Sequence, residues 1–143
     1  MAGNILFGVL KGGQPPMLDQ LLYKAARAPT GAIQVRVHDT VPIVEVTGDL
    51  DLGDVRAFDD ALQAVSRSPS PEVIVSLEKT AYFNSGAVRA IMRLANRLSD
   101  ENRHLLLVAP RDRTPRRVLD IVYMTSDLLP FESVEEALAA VAG

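Results

Sequence analysis

The stretch VIVSLEKTAYFNSGAV, residues 73–88, places an apolar run directly before a polar turn and the start of an amphipathic segment. Residues 73–77 are apolar enough for a strand in the centre of a sheet. Asn84 and Ser85 are residue types that favour the start of a helix. Residues 85–98 then carry apolar side chains at helical spacing: Val88, Ile91, Met92, Ala95 and Leu98. The stretch therefore predicts a strand, a turn and a helix of an α/β sheet.

Strands and helices alternate on both sides of this unit. Residues 33–38 alternate apolar and polar side chains, and a turn at Asp39-Thr40 leads into a second strand at 43–47, so the first pair is predicted to be an antiparallel hairpin. The other predicted elements are a helix at 54–65, a strand at 105–108, a helix at 114–122, a short strand at 128–131 and a terminal helix opened by a capping box at 133–136. Helices between strands favour right-handed crossovers. We predict an α/β fold with a mostly parallel central sheet, an antiparallel N-terminal hairpin and about four helices.

The first thirty residues do not share this pattern. Residues 11–16 are a cluster of structure breakers, and residues 29–31 form another. Between them, residues 17–28 are predicted to form a short helix with one apolar stripe: Met17, Leu18, Leu21, Leu22 and Ala25. We expect an N-terminal extension at 1–30, attached to a domain at 31–143. The alternative is that the stripe is covered by a partner or by a second copy of the chain, which would make a homo-oligomer.

The composition excludes several classes of site. The 143 residues are 48% hydrophobic and 23% charged, with a formal net charge of −3 and no cysteine. Disulfides, thiolate metal sites and cysteine nucleophiles are therefore ruled out, and His38 and His104 lie far apart in the sequence. No basic bias favours direct binding to nucleic acid, and no apolar run is long enough to span a membrane. We expect a cytoplasmic protein without a cofactor or a metal.

Ser85 has two interpretations. As part of an Asn-Ser pair it is a candidate helix cap, and nothing more. The free N–H groups and the positive end of the helix dipole at the same position also stabilise an anion. A phosphoserine there would add nearly two negative charges without unfolding the domain.

An acidic turn precedes the helix at 54–65. Asp49 and Asp51 are candidates for binding Mg²⁺ or for a pair of catalytic carboxylates, whereas Asp54 is expected to cap the helix. Since no Glu/His constellation or phosphate-binding glycine loop accompanies them, we interpret the turn as a solvated acidic loop. An enzyme that uses Asp49, Asp51 and Ser85 would lack a visible base or oxyanion device.

Arginines recur on the predicted helices. Arg89, Arg93 and Arg97 lie four residues apart, opposite the apolar stripe, and form either a solvated face or a basic stripe that meets an acidic partner. A second basic cluster lies at the start of the helix at 114–122, the less favourable end for cations: Arg111, Arg113, Arg116 and Arg117. This cluster hints at a role beyond stability, although Asp112 and Asp120 can offset it.

Several of these segments, in this order, resemble the STAS domain of the anti-sigma-factor antagonist family: Gly48-Asp49-Leu50-Asp51, residues 73–77, Phe83-Asn84-Ser85, residues 105–110 with 116–119, and residues 133–140. The resemblance covers about residues 32–142. It implies an α/β sandwich that is not an enzyme and that acts by partner switching. In that scheme the unphosphorylated antagonist captures an anti-sigma factor that is also a serine kinase, phosphorylation at a helix N-terminus ends binding, and a phosphatase restores it.

The resemblance also implies site residues. The family pattern at the acceptor is roughly Asp-Ser-Ser/Ala-Gly-Leu, so Ser85 takes the phosphoacceptor position, Asn84 the Asp position and Gly86 the second small position. Asp51 matches an acidic residue that lies beside the acceptor in the family. The partner-binding residues are accordingly expected to be Asp51, Asn84, Gly86, Arg89 and Arg93.

Two departures from the family pattern bear on function. Asn84 lacks the carboxylate usual beside the acceptor, and Arg89 stands where the family has a small residue near the kinase. A phosphate on Ser85 is expected to be repelled by Asp51 and by Glu78.

The alternative function is a STAS-type sensor that is not phosphorylated and binds a nucleotide or another small ligand between the loops near Asp51 and Asn84.

Overall fold

The computed structural model describes residues 33–122 and 130–142. Within these ranges the strands are β1 (Ile33–His38), β2 (Val41–Leu50), β3 (Glu72–Phe83) and β4 (His104–Val108). The helices are α1 (Val55–Ser66), α2 (Ser85–Asp100), α3 (Thr114–Val122) and α4 (Val134–Ala142), and a 3-10 turn, Leu52–Asp54, precedes α1.

The four strands form one mixed sheet in the order β1-β2-β3-β4. β1 pairs antiparallel with β2, whereas β2, β3 and β4 run parallel. Asp39 and Thr40 join the hairpin with φ angles of 48° and 72°, the left-handed conformation that two-residue hairpin turns favour. The predicted α/β fold, with a mostly parallel sheet, an antiparallel N-terminal hairpin and four helices, is confirmed.

The two faces of the sheet have separate cores. α1 and α2 cover one face together with Leu119 of α3, and the side chains buried there include Phe58, Leu77 and Ile91. α4 covers the other face over a smaller cluster, which includes Ile74 and Val134. Because both faces of β3 are covered, this strand is apolar in nearly every position from Val73 to Leu77, as the sequence indicated.

β3 is longer than predicted, since it continues through polar residues to Phe83. Its pairing with β2 shifts twice, between Glu45 and Thr47 and between Gly48 and Asp49, so that β3 carries additional residues at each irregularity. At the first, the buried hydroxyl of Thr80 donates a hydrogen bond of 2.9 Å to the carbonyl of Val46. Such bulges bend a strand, and a simple alternation pattern does not reveal them.

The loop after α1 is held by one arginine. Arg103 donates hydrogen bonds to the carbonyl oxygens of Ser66, Ser68 and Ser70 at 2.7, 2.8 and 2.9 Å. It also contacts the carboxylate of Glu101 at 2.7 Å, and this hydrogen bond holds the pKa of Glu101 below its usual value.

β2 is also longer than predicted, since it spans Val41–Leu50 rather than 43–47, whereas the other boundaries agree closely with the predictions. α1 begins at Val55 rather than at residue 54, α2 extends to Asp100, and α3 has the predicted limits. The predicted strand at 128–131 falls partly outside the described residues, and Phe131 forms a single parallel bridge with Val108. The extension at 1–30 and its predicted helix also lie outside them. Among the helices described, none combines the length and the apolar character that crossing a membrane requires.

Only half of the predicted capping box at α4 forms. Ser133 Oγ accepts a hydrogen bond from the Glu136 N–H at 3.1 Å, as predicted. The Glu136 carboxylate, however, accepts from the N–H of Glu132 at 3.3 Å and not from that of Ser133.

Candidate functional site

The candidate site lies at the carboxyl edge of β2 and β3. In the parallel register Asp49 is opposite Tyr82 and Leu50 is opposite Phe83, so the two strands end side by side. The turn Leu52–Asp54 follows β2, and Asn84 with α2 follows β3. The tertiary structure therefore brings together two segments that are some thirty residues apart in sequence and that both carried candidate site residues.

Asn84, and not Ser85, caps α2. Its backbone is extended, and its Oδ1 accepts a hydrogen bond from the N–H of Ala87 at 3.1 Å. Ser85 is the first helical residue and is exposed. Its hydroxyl has no hydrogen-bond partner within the part of the chain that the structure describes. The fold thus leaves this hydroxyl accessible at the positive end of the helix dipole.

Gly86 fits against α1. A Cβ atom at this position would lie 3.1 Å from Asn84 Oδ1 and 3.3 Å from Val55 Cγ1. Both distances are shorter than ordinary van der Waals contacts, so the absence of a side chain lets the start of α2 approach the start of α1. The packing gives Gly86 a structural role. Its predicted contact with a partner stays a prediction.

Asp51 and Asp54 form a reciprocal cap. Asp51 Oδ1 accepts from the N–H of Gly53 at 3.0 Å, and Asp54 Oδ2 accepts from the N–H of Asp51 at 3.2 Å. The prediction that Asp54 caps the following helix is wrong, because its side chain makes no capping hydrogen bond to α1. A 3-10 turn intervenes, so the carboxylate of Asp54 is buried against the backbone of Asp51.

Two apolar side chains stand out at this edge. Leu52 is 84% exposed and Tyr82 is 49% exposed, and they are the large hydrophobic residues that are exposed in the described ranges. Sequence reasoning missed both. The sequence did contain an indication of Leu52, because an apolar residue between Asp51 and Gly53 is unexpected in an acidic turn that is only solvated.

The three arginines of α2 differ in their surroundings. Arg93 forms an ion pair with Asp59 of α1 at 3.0 Å, and Arg97 lies 3.7 Å from Glu101. Arg89 is exposed and pairs with no group in residues 33–122 or 130–142. The predicted basic stripe is therefore neutralised at two positions, and Arg89, one turn from Ser85, is the arginine whose charge stays available.

The second basic cluster faces the carboxylate of Glu132, which lies outside the helix that carries the cluster. Glu132 lies 3.2 Å from Arg116 and 3.5 Å from Arg111. Arg116 also donates to the carbonyl of Ala109 at 2.8 Å, so it joins the start of α3 to the end of β4. These contacts give Arg111 and Arg116 of the cluster a structural role.

Glu78 does not lie beside Ser85. Its Oε1 accepts a hydrogen bond from the N–H of Val134 at 3.2 Å, at the start of α4. α4 covers the face of the sheet opposite to α2. The expectation that Glu78 repels a phosphate on Ser85 is therefore wrong. Asp49 and Asp51 are the exposed carboxylates at this edge. Within the described residues no group of three or more His, Cys, Asp or Glu side chains is arranged to hold a metal ion.

Known structures share this fold. An anti-sigma factor antagonist from Mycobacterium paratuberculosis is 22% identical, with a TM-score of 0.70 over 78% of this chain and 93% of that one. SpoIIAA in its unphosphorylated form, an anti-sigma factor antagonist, is 20% identical, with a TM-score of 0.60 over 78% and 99%. A sulfate transporter family protein from Wolinella succinogenes is 19% identical, with a TM-score of 0.61 over 74% and 88%.

A sequence-based family model identifies the family. No curated protein sequence matches this chain. The family model described as "Mlab, STAS domain" matches residues 33–129, which is more than half of the chain. The match includes the whole sheet, both strand ends of the candidate site and the start of α2. The chain therefore belongs to the STAS domain family.

Proposed function

We propose that this protein is a regulatory binding module that captures an anti-sigma factor or a related serine kinase, and that phosphorylation of Ser85 ends the binding. It acts in the cytoplasm on transcription, without an enzymatic activity of its own. The binding surface consists of Asp51, Leu52, Tyr82, Ser85 and Arg89. Gly86 and Asn84 hold the start of α2 in place beneath it, and Arg93 flanks it.

One observation carries this proposal: the Ser85 hydroxyl is exposed and unused at the start of a sixteen-residue helix, beside exposed apolar side chains. A structural serine in this position would cap the helix, but Asn84 already does so. Apolar groups rimmed by charges are typical of protein contact surfaces. The arrangement thus combines a modifiable group with a surface suited to a protein partner.

Phosphorylation at this place is compatible with the fold. The kinase forms a bond between Ser85 Oγ and the γ-phosphorus of ATP, the bond from that phosphorus to the bridging oxygen breaks, and ADP and the hydroxyl proton leave. The phosphate then lies at the positive end of the helix dipole, which stabilises α2. It adds negative charge next to the exposed Asp49 and Asp51, so it changes the docking surface and leaves the core intact.

Asn84 sets a requirement on the kinase. Its amide cannot accept the hydroxyl proton, and its oxygen is already used by the N–H of Ala87. Asn84 therefore does not act as the base, and the kinase is expected to supply the group that removes the proton. Asp51, Asp54 and Asn84 each use a side-chain oxygen to accept a hydrogen bond from the protein backbone. Because these oxygens are already engaged, the edge is less suited to binding a small ligand than to binding a protein.

The test combines capture with mass spectrometry. Wild-type protein, Ser85→Asp and the control Ser99→Asp, which alters an exposed serine at the carboxyl-terminal end of the same helix, are immobilised and exposed to native lysate. We expect wild type and Ser99→Asp to retain an anti-sigma factor with a kinase domain, and Ser85→Asp to lose most of it. Incubating the recovered complex with ATP should add one phosphate to Ser85 in wild type and none to Ser85→Ala.

Two outcomes would contradict parts of the proposal. Equal capture by Ser85→Asp and Ser99→Asp would remove Ser85 from the interface. A stoichiometric complex that never gains phosphate would leave a binding function without the switch. In that second case Asn84→Asp, which restores a carboxylate beside the acceptor, tests whether Asn84 is the cause.

A further inference from the structure

We propose that residues 17–28 of this same chain bind across the carboxyl edge of β2 and β3 and cover Ser85, Leu52 and Tyr82. The N-terminal segment would then compete with the partner for the surface and shield the acceptor from a kinase. This regulation rests on the proposed function, since it assumes that the covered surface is the one that a partner uses.

The direction of β1 determines where the segment starts. Ile33, the first residue of β1, is opposite Val46, and β1 runs antiparallel to β2. The chain therefore enters the sheet from the end at which β2 reaches Asp49 and Leu50. This is the end that carries Ser85, and not the end that carries the hairpin turn.

The register also shows that the segment can reach the surface. Tyr82 is opposite Asp49, three residues beyond Val46 along β2 and two strands across from β1, which places it about 14 Å from Ile33 at ordinary strand spacings. The five peptide steps from residue 28 to residue 33 span at most about 17 Å. The linker is thus long enough for direct contact and short enough to keep the segment at a high effective concentration near this edge.

The two surfaces are complementary in character. The predicted stripe of Met17, Leu18, Leu21, Leu22 and Ala25 needs an apolar cover, and Leu52 and Tyr82 are exposed apolar side chains at the edge that the linker reaches.

Their charges are also opposite. Residues 1–32 contain three basic side chains and one acidic, whereas residues 33–143 contain 12 basic and 17 acidic. Lys24 and Arg27 lie on the docking segment, and Asp49 and Asp51 are exposed at the edge of the sheet. Opposite charges on the segment and on the edge favour the docked arrangement and increase the rate at which it forms.

The absence of cysteine makes a direct test possible in the full chain. One nitroxide label is attached to Arg89→Cys, one turn from Ser85, and a control label to Glu135→Cys, an exposed position on α4 at the opposite face of the sheet. The amide signals of residues 17–28 are then recorded by NMR with the label oxidised and reduced. We expect the label at position 89 to remove most of their intensity and the label at position 135 to leave it unchanged.

A change on the stripe separates docking from chance proximity. Leu21→Asp should restore the signals in the presence of the label at position 89, whereas Gln20→Asp, which lies off the stripe, should not. Equal effects of the two labels, no effect of either label, or no difference between Leu21→Asp and Gln20→Asp would overturn the proposal. Loss of signal that appears only when an isotope-labelled chain is mixed with a separate spin-labelled chain would identify a second copy as the occupant, and would overturn it as well.

The experiment uses no partner, so its result is independent of the proposed function. Docking of the segment in the wild-type chain, combined with no capture of an anti-sigma factor by the Leu21→Asp chain whose surface is uncovered, would count against the proposed function alone. Capture without docking would count against this inference alone.

Discussion

Asn84 Oδ1 accepts a hydrogen bond from the backbone N–H of Ala87 at 3.1 Å, so α2 is capped by the residue that precedes Ser85. The cap and the candidate acceptor are therefore separate residues, although they are adjacent. This separation allows the Ser85 hydroxyl to be modified without the loss of a structural hydrogen bond.

Substitutions at these two positions should have unequal effects on stability. Asn84→Ala removes the cap and should lower the free energy of unfolding by about 1 kcal/mol. Ser85→Ala removes an exposed hydroxyl and should change it by less than about 0.5 kcal/mol. Urea denaturation of both variants, with Asn84→Asp as a control that keeps a capping oxygen, measures the difference. An equal loss for Ser85→Ala would mean that its hydroxyl caps the helix after all.

Gly86 and Val55 should be energetically coupled, because a Cβ on Gly86 would lie 3.3 Å from Val55 Cγ1. In wild type, Gly86→Ala should destabilise the protein by about 1 kcal/mol, because the new Cβ meets Val55 Cγ1 and Asn84 Oδ1 at less than ordinary contact distance. In a Val55→Ala background the same Gly86→Ala change should cost less, because the contact with Val55 Cγ1 is gone and only the contact with Asn84 Oδ1 remains. A double-mutant cycle measures this coupling, and additive effects would show that the close approach does not constrain the position.

Arg89 should determine partner affinity more than Arg93 does. Arg89 has no ion pair among the described residues, whereas Arg93 is held by Asp59 at 3.0 Å. Arg89→Ala should change the free energy of unfolding by less than about 0.5 kcal/mol and should weaken the complex with the captured partner. Arg93→Ala is the matched control, with a smaller effect on affinity. Isothermal titration of the three proteins decides the order, and a stronger effect at Arg93 would reverse the assignment.

Arg103 should be the most important arginine for stability. Arg103→Met leaves the carbonyl oxygens of Ser66, Ser68 and Ser70 without their charged donor, and should cost about 2 kcal/mol. Arg97→Met removes a long, exposed contact with Glu101 and should cost less than about 0.5 kcal/mol. Thermal and urea unfolding compare the two variants.

The pair of Arg103 and Glu101 should also contribute a pH dependence. The hydrogen bond from Arg103 lowers the pKa of Glu101 in the folded protein, so the stabilisation is present above the unfolded pKa and is lost as the pH falls through the folded pKa. The difference in unfolding free energy between wild type and Glu101→Gln should therefore shrink as the solution is acidified below the ordinary glutamate range. A difference that stays constant through this range would exclude the pair as its source.

A chain that begins at Gly31 should still unfold cooperatively. The residues that the structure describes, from Ile33 onward, already form a four-stranded sheet with a buried core on each face. Calorimetry of this shortened chain against the full chain tests the domain boundary, and aggregation or the loss of a cooperative transition would show that residues 1–30 belong to the folded unit.

The local patterns of the sequence were sufficient for most of the fold. The alternation at Ile33, Val35 and Val37 and the apolar run at 73–77 identified strands, because a strand that is covered on one face or on two leaves a different pattern. The apolar stripe of α2 marked its buried side from Val88 to Leu98. The bulges of β3 left no such trace, because they depend on pairing with β2 and on the hydrogen bond from Thr80 to Val46.

The sequence by itself determined the order of elements and the position of Ser85 at the start of a helix, because both depend on neighbours within a few residues along the chain. Only the tertiary structure decided which groups are available there. Asn84 holds the cap, Asp54 turns inward to Asp51, and Asp59 neutralises Arg93. Leu52 and Tyr82 come to the same edge because β2 and β3 end side by side, and both are exposed there. The contacts that join β2 to β3 and α1 to α2 connect residues about thirty positions apart, and no local pattern of the chain encodes such distances.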